Sequence, residues 1–233
     1  MTTETPLVKI IRDIRHALYY LKTDGCTGFD GTVQQVAAIS DLKPATGGAT
    51  AQSESLAVIC ADLGDCTRCP LCRARTRIVF GEGDPQAQLV FVGEGPGFDE
   101  DQSGRPFVGA AGQLLTKIIT AMGLDRERVY ICNIVKCRPP NNRNPEPDEI
   151  RQCLPFLKRQ LRAIHPRVVC ALGNVAARTL LETDTPISRL RGRFHAVMDI
   201  PLMPTYHPAF LLRNPDKKRD VWDDVRQIMN RLA

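Results

Sequence analysis

Three continuous runs of apolar, mostly branched residues constrain the fold of this 233-residue chain more than any other feature. These runs lie at 89–93 (LVFVG), 129–135 (VYICNIV) and 168–172 (VVCAL). The patterns between and after them indicate helices near 110–122, 147–164 and 173–182, a strand at 198–206 and a closing helix at 216–232. Uninterrupted apolar strands are typical of a parallel sheet that is covered on both faces. We therefore predict an α/β fold, a three-layer doubly wound sandwich with a short central, mainly parallel sheet.

The N-terminal part of the chain has a different pattern. Apolar residues recur at alternating spacings of four and three from Leu7 to Leu21, with basic residues between them, which indicates an amphipathic helix. Residues 43–55 are small and polar with Pro and Gly, as in a linker. We predict an N-terminal helical extension and linker over 1–55 and a main domain over 56–233. The helix is expected to dock on the core or to bind a protein partner.

The composition excludes several classes of protein. Hydrophobic residues make up 43% and charged residues 24% of the chain, as in an ordinary globular protein. No stretch approaches the ~20 apolar residues of a membrane span, and charges interrupt the apolar N-terminus, unlike a secretory signal. We therefore predict a cytoplasmic protein without a membrane partner. The net charge of +5 divides into −1 for residues 1–55 and +6 for the remainder, which suits a phosphate-binding surface but also many unrelated proteins.

Nine cysteines are many for a cytoplasmic chain, because disulfides are rarely stable in that compartment. Cys132 and Cys170 lie inside apolar runs and fit buried core thiols. Cys66, Cys69 and Cys72 lie within seven residues among polar neighbours, which indicates metal or redox chemistry. These three also fit part of a ferredoxin-type run, although the fourth Cys-Pro of that pattern is missing.

Three segments of unusual composition each follow a predicted strand. They are 93–109 (GEGPGFDEDQSGRPFVG), 133–143 (NIVKCRPPNNR) and 205–213 (TYHPAFLLR). Ligands of doubly wound sheets bind at the carboxyl ends of the strands, so we expect these segments to form one site. A dinucleotide site is a weak alternative, because its Gly-x-Gly-x-x-Gly fingerprint would need glycine at Phe98.

In combination, the motifs GEGPG, GRPFVG, NIVKCRPPNNR and HPAFLLR resemble those of the family 4 uracil-DNA glycosylases. The resemblance extends from about residue 60 to the C-terminus. It implies the glycosylase fold and an enzyme that flips uracil out of single- or double-stranded DNA. Such an enzyme hydrolyses the N-glycosidic bond of uracil, which initiates base excision repair. The resemblance also implies a monomer.

The resemblance further implies that four cysteines hold a 4Fe–4S cluster. In that family the ligands are a Cys-x-x-Cys pair, a distant third cysteine and a fourth sixteen residues later. Cys66, Cys69, Cys137 and Cys153 follow this pattern, and Cys72 is then a spare thiol. Four thiolates also suit zinc, and the spacing does not separate the two metals. A cluster here is expected to be structural, because hydrolysis moves no electrons.

The resemblance assigns five residues to substrate and DNA binding. Phe107 would be the floor on which the flipped base stacks. The side-chain amide of Asn133 would pair with the uracil edge as acceptor and donor together, which cytosine cannot satisfy. Leu211 would be the apolar wedge that fills the gap left by the flipped base. Arg213 and Arg143 would bind phosphates.

The resemblance assigns the chemistry to one histidine and one carboxylate. His207 would donate a hydrogen bond to the uracil O2 oxygen and stabilise the departing anion. The better-known branch of the superfamily has an aspartate at the position of Gly95, which here is part of the substrate pocket. This departure leaves Glu94 and Glu100 as the candidates for the group that positions water or stabilises the sugar cation.

Two alternatives belong to other functional classes. The first is a catalytically weak iron–sulfur DNA-binding module of the same superfamily that keeps the pocket. The second is an iron–sulfur electron carrier, which would be reduced reversibly without DNA. A related branch traps the sugar covalently through a histidine after the cysteine loop, but the segment 138–145 (RPPNNRNP) contains no histidine.

Overall fold

The computed structural model describes residues 54–233. The predicted N-terminal helix and nearly all of the predicted linker lie outside these residues, so the extension over 1–55 stays a prediction. In the described part of the chain, no helix is both long enough and apolar enough to span a membrane.

A six-stranded sheet forms the centre of the domain, in the order β1-β3-β2-β4-β6-β5. Its strands are β1 (Glu82–Gly83), β2 (Leu89–Gly93), β3 (Tyr130–Asn133), β4 (Val168–Leu172), β5 (His195–Val197) and β6 (Ile200–Thr205). The four inner strands are parallel, and the two edge strands are antiparallel to their neighbours. The mainly parallel central sheet is therefore confirmed. The edge strands were not predicted, because two or three residues are too few for a recognisable pattern.

Helices cover both faces of the sheet. The helices are α1 (Leu56–Leu63), α2 (Phe98–Ser103), α3 (Ala110–Ala121), α4 (Pro147–Ile164), α5 (Asn174–Leu181), α6 (Ile187–Leu190), α7 (Pro208–Arg213) and α8 (Lys218–Leu232). Successive side chains of a strand point to opposite faces. Val90 and Val92 accordingly pack with residues of α4 and α5, whereas Leu89 and Phe91 pack with residues of α3 and α8. The three predicted layers are confirmed.

The register of the inner strands brings the three unusual segments to one edge. Gly93, which ends β2, pairs with Asn133, which ends β3. On the other side, Leu172 of β4 pairs with Thr205, which ends β6 two residues before His207. The segments after β2, β3 and β6 therefore all begin at the carboxyl edge of the sheet, as the sequence predicts.

Candidate active site

A close approach of three residues creates the centre of the site. A β-carbon at position 93 would lie 2.5 Å from Oδ1 of Asn133 and 2.5 Å from Cζ of Phe107. Real side chains do not approach so closely, so only glycine at Gly93 lets the amide and the aromatic ring meet beside the strand end. The absence of a side chain at Gly93 therefore allows the Asn133 amide and the Phe107 ring to lie next to each other.

The side chain of Asn133 is buried without a partner. It is 1% exposed, and neither Oδ1 nor Nδ2 makes a hydrogen bond. No other side chain within residues 54–233 has buried polar atoms in this state. A buried polar group that lacks a partner costs about 1–3 kcal/mol. An amide that keeps an acceptor and a donor free in a pocket is suited to a ligand that offers the complementary pair.

Phe107 has a strained backbone that Glu100 holds in place. Its φ of 52° lies in the left-handed region, which is unfavourable for a bulky residue. One carboxylate oxygen of Glu100 accepts hydrogen bonds from the backbone N–H groups of Val108 (2.8 Å) and Gly109 (2.9 Å). The other oxygen accepts from the N–H of Gly97 at 3.1 Å. Glu100 therefore positions the Phe107 loop, and its engaged oxygens make it a poorer candidate for holding water.

His207 begins α7 as its N-cap and lies beside Phe107. Nδ1 of the imidazole accepts a hydrogen bond from the backbone N–H of Ala209 at 3.1 Å. The rings of Phe107 and His207 are 5.6 Å apart between centroids. Burial lowers the pKa of His207 to about 4, so the ring is neutral near pH 7. Because Nδ1 is an acceptor, the single proton lies on Nε2, which is left as a donor.

Glu94 and Gly95 lie directly after β2. Burial raises the pKa of Glu94, and among the described residues its carboxylate makes no hydrogen bond. A β-carbon at position 95 would lie 2.8 Å from Cγ2 of Val135. A side chain at position 95 would therefore require Val135 to move, and the neighbouring Glu94 carries a carboxylate without a hydrogen-bond partner among the described residues.

The prediction for Leu211 does not fit this conformation. Leu211 is 1% exposed and packs in the core with α3 and α8, whereas the next residue, Leu212, is 48% exposed. Adjacent residues of a helix point about 100° apart, so only one of them can face the core. The sequence could not decide which leucine is outside, because both fit the same motif. Leu212 is therefore the exposed candidate for the wedge in this conformation, and the role of Leu211 stays a prediction.

The two predicted phosphate ligands differ in their surroundings. Arg213 is exposed and forms no ion pair with any residue in 54–233. The guanidinium of Arg143 instead binds both carboxylate oxygens of the buried Glu149, at 2.7 and 2.8 Å. Glu149 also accepts from the N–H of Glu146 at the start of α4. Arg143 therefore stabilises the end of its own loop, and its phosphate contact stays a prediction.

The predicted cysteine ligands share one region of the domain. Cys69, Cys137 and Cys153 pack in one apolar cluster. The guanidinium of Arg75 donates both to the carbonyl of Cys66 and to Sγ of Cys137, and the described cysteines form no disulfide. Burial raises the pKa of Cys137 to about 12, so ligation would release its proton. Over 54–233, no three side chains of the His, Cys, Asp or Glu type form a group that would hold a single metal ion.

The donors around these sulfurs fit anionic thiolate ligands. Sγ of Cys66 accepts from Arg68 at 3.4 Å, and Sγ of Cys137 accepts from Arg75 at 3.5 Å. Sγ of Cys153 accepts from the backbone N–H of Lys136 at 3.3 Å. Hydrogen bonds to ligand sulfurs are a common feature of iron–sulfur sites, and nearby cations offset their negative charge.

Lys136 is a residue that the sequence analysis did not assign to the site. It is buried, and its Nζ donates to the backbone carbonyl of Asn133 (2.9 Å) and to Oε1 of Gln160 (2.6 Å). Gln160 in turn donates to the hydroxyl of Tyr130 and to the carbonyl of Phe80. Burial lowers the pKa of Lys136. Sequence analysis did not identify Lys136 because lysine is ordinarily exposed. The only signal in the sequence was its position, three residues after the end of an apolar strand.

Comparisons with known proteins identify the class to which this fold and site belong. Residues 80–226 match the family model of the uracil DNA glycosylase superfamily. Three similar proteins carry the name type-4 uracil-DNA glycosylase. The one from Sulfurisphaera tokodaii is 44% identical over 75% of this chain and 84% of its own length. The one from Archaeoglobus fulgidus is 44% identical over 75% of this chain and 92% of its own length. The one from Thermotoga maritima is 43% identical over 76% of this chain and 94% of its own length. The chain belongs to the type-4 uracil-DNA glycosylase family, which confirms the resemblance seen in its motifs.

Proposed function

We propose that this chain, as a uracil-DNA glycosylase, binds uracil flipped out of DNA between Phe107, Asn133 and His207 and hydrolyses its N-glycosidic bond. The observation that carries this proposal is the buried amide of Asn133, which has no partner within the described residues. Water adds to C1′ of the deoxyribose, the bond to N1 breaks, and uracil leaves with the bonding electrons. The products are free uracil and an abasic site in the DNA. The family names also favour an enzyme over a binding module without activity.

Asn133 accounts for the choice of base. Its Oδ1 accepts from N3–H of uracil while its Nδ2 donates to O4, so both atoms gain partners. Cytosine presents an acceptor at N3 and a donor at N4, which would leave the amide unsatisfied. A site built to hydrogen-bond one pattern rejects the other strongly, because the mismatch leaves buried polar groups unpaired.

His207 and Glu94 account for the chemistry. As the bond breaks, negative charge develops on uracil, and the Nε2–H of His207 donates to its O2 oxygen. A neutral donor suits this task because it stabilises the anion without protonating the base beforehand. Glu94, whose carboxylate has no partner among the described residues, holds the attacking water and offsets positive charge on the sugar.

The DNA contacts follow from exposure. Leu212 fills the gap in the base stack, and Arg213 binds a phosphate beside it. The substrate is DNA, in either single- or double-stranded form, and the chain acts on it as a monomer. The helix predicted in the N-terminal extension would dock on the core or bind a protein partner.

Cys66, Cys69, Cys137 and Cys153 are the proposed ligands of a 4Fe–4S cluster. The support is the donor set: four free thiols in one region, with cationic side chains and an N–H group directed at their sulfurs. These cysteines lie on the loop before β1, the loop after β3 and α4, so a cluster held by them would join these three parts of the domain. Those ties hold the segment that begins with Asn133, and the hydrolysis itself needs no electron transfer.

A simple assay tests the proposed function. The protein is incubated with an oligonucleotide that contains one uracil, and alkali then breaks the strand at any abasic site. Breaks at the uracil position, with none in a matched oligonucleotide containing cytosine, are the expected result. Intact uracil-containing DNA after treatment with iron-loaded protein would contradict the proposal.

The excision rate is expected to fall about 100- to 1,000-fold in His207→Ala, the cost of one oxyanion donor. His207→Asn is the matched control, since asparagine is also a good N-cap and preserves the bond to the N–H of Ala209. Both variants are therefore expected to be slow, and only His207→Ala is expected to lose stability. Single-turnover rates and thermal unfolding measure the two effects. A His207→Asn variant as fast as the parent would make His207 a cap only.

The pH dependence follows from the same contact. Because burial lowers the pKa of His207 to about 4, its neutral form persists as pH falls until that value is approached. The unfolded chain takes up the proton first, near the ordinary value of 6.5, so this group lowers stability as pH falls from about 6.5 towards 4. Protonation of Nδ1 also breaks the cap. The single-turnover rate is measured as a function of pH for the parent and for His207→Asn. An inflection near pH 6.5 in the parent that is missing in His207→Asn would contradict this assignment.

Lys136→Met is expected to slow excision about 10-fold while leaving the protein folded. The substitution removes the hydrogen bond from Nζ to the backbone carbonyl of Asn133, and we expect this bond to position the residue that carries the side-chain amide. It also replaces a buried cation with an apolar side chain of similar length. Gln160→Met, which removes the other partner of Nζ, is the comparison. Single-turnover titrations separate substrate affinity from the maximal rate. An unchanged rate in Lys136→Met would mean that the lysine does not position Asn133.

A further inference from the structure

Phe98 is an exposed aromatic residue at the edge of the pocket. It is the first residue of α2, directly after the GEGPG segment, and 56% of its surface is exposed. The guanidinium of Arg138 lies over its ring, 5.1 Å from the centroid. Arg138 belongs to the segment after β3, so the pair joins two of the three segments that form the site.

Both members of this pair are held by the pocket loops. The carboxylate of Glu100 links the N–H of Gly97, next to Phe98, with the loop that carries Phe107. A β-carbon at position 95 would lie 3.7 Å from Cδ of Pro139, so the two segments are in contact beside the pair. Nε of Arg138 donates to Oδ1 of Asn142 at 2.8 Å, which fixes the guanidinium. The pair is therefore pre-organised beside the uracil site.

Stability of the free protein does not explain this arrangement. A cation–π contact at an exposed site contributes about 0.5–1 kcal/mol, and more than half of Phe98 still faces solvent. Within residues 54–233, Arg138 forms no ion pair with a carboxylate, so its guanidinium is available to a phosphate. An exposed aromatic face beside an uncompensated cation is the combination that binds single-stranded nucleic acid.

We propose that Phe98 and Arg138 form a stacking site for a base next to the flipped uracil on the same DNA strand. Phe98 stacks on the base, and Arg138 contributes its charge to the neighbouring phosphate. Bases of an unpaired strand expose their faces, so the contact favours single-stranded over double-stranded substrate. The inference rests on the proposed function for the location of uracil, and it adds a second base-binding position to that site.

The test compares Phe98→Ala with Phe98→Tyr, which keeps an aromatic face, and with Trp222→Ala, which removes an exposed aromatic residue outside the pocket loops. Binding is measured on a uracil-free single strand and on its duplex. Phe98→Ala is expected to bind the single strand roughly 5- to 150-fold more weakly than the parent, the range for loss of one stacked base. Phe98→Tyr and Trp222→Ala are expected to match the parent, and duplex binding is expected to change less.

A fluorescent base locates the contact. 2-Aminopurine is placed at each position flanking a non-cleavable 2′-fluoro-deoxyuridine, and its emission is recorded on binding. One flanking position is expected to respond in the parent and in Phe98→Tyr, and to lose that response in Phe98→Ala. Equal single-strand binding and equal emission for parent and Phe98→Ala would overturn the proposal. If Phe98→Ala does not fold, Phe98→Leu replaces it, since leucine keeps apolar volume without a π face.

These measurements also separate this proposal from the proposed function. Neither binding nor emission depends on bond cleavage. If the parent leaves uracil in place while Phe98→Ala binds the single strand more weakly than the parent, the glycosylase function is refuted and the stacking site is retained. If the parent excises uracil and Phe98→Ala matches it in binding and in emission, the glycosylase function is retained and the stacking site is refuted.

Discussion

Asn133→Ala is expected to reduce uracil excision by about 100-fold or more without lowering the stability of the protein. The loss of rate follows from the proposed role of the amide in reading the base edge. Stability is expected to hold because both amide atoms are buried without partners, so their removal ends a desolvation cost of about 1–3 kcal/mol that offsets the cavity formed. Binding to undamaged DNA is expected to be unchanged, since phosphate contacts supply that affinity.

Thr205→Ala is the matched control for this prediction. Thr205 is also a buried polar residue at the end of an inner strand, but its hydroxyl donates to Asp224 at 2.6 Å. Its removal is expected to cost about 1–3 kcal/mol of unfolding free energy, because it takes a partner from a buried carboxylate. Single-turnover excision and denaturant unfolding are measured for both variants. An Asn133→Ala protein that excises uracil at the parental rate, or unfolds as easily as Thr205→Ala, would refute the role of the amide.

Cys137→Ser is expected to cause the largest loss of cofactor and stability. Anaerobically purified parent protein is expected to be brown, with about four irons per chain. The hydroxyl of serine is a poor replacement for a thiolate that is buried and accepts from Arg75, so the variant is expected to lose colour and to unfold at lower temperature. Iron content, visible absorption and thermal unfolding report these changes without reference to activity.

Cys72→Ser is the matched control for the cluster. Cys72 lies three residues after Cys69 and is half-buried, and the spacing of the family's ligands leaves it as the spare thiol. The variant is expected to keep its iron and colour. Colourless parent protein with stoichiometric zinc would replace the cluster with a zinc site. Loss of iron in Cys72→Ser with retention in Cys137→Ser would exchange their roles.

The four pocket residues show how a parallel sheet assembles a site. Gly93, Phe107, Asn133 and His207 are separated by up to 114 positions in the sequence, yet three of them lie at or just after the ends of inner strands. The strand register fixes the backbone positions of these three residues. The fourth, Phe107, is positioned by hydrogen bonds from neighbouring backbone N–H groups to the carboxylate of Glu100. The proposed site residues therefore lie on or beside the central sheet, which suits pre-organised electrostatic stabilisation.

The sequence by itself determined the fold class, the family and the edge of the sheet at which the site lies. A short uninterrupted apolar run such as 168–172 is typical of a strand at the centre of a covered parallel sheet, and this run forms β4 with the predicted bounds. The long motifs after each strand identified the family because several unrelated residue types recur there in order. Periodicity and motif order are local properties, so they can be read from one chain.

Only the tertiary structure decided which side of an element each side chain faces and which partners it meets. Leu211 and Leu212 are chemically equal in the sequence, but packing against α3 and α8 buries the first and exposes the second. In the same way, contacts between distant segments bring Gln160 of α4 to Nζ of Lys136 and the guanidinium of Arg75 to Sγ of Cys137. Burial and hydrogen bonding depend on what the rest of the chain brings alongside, and no local pattern contains that information.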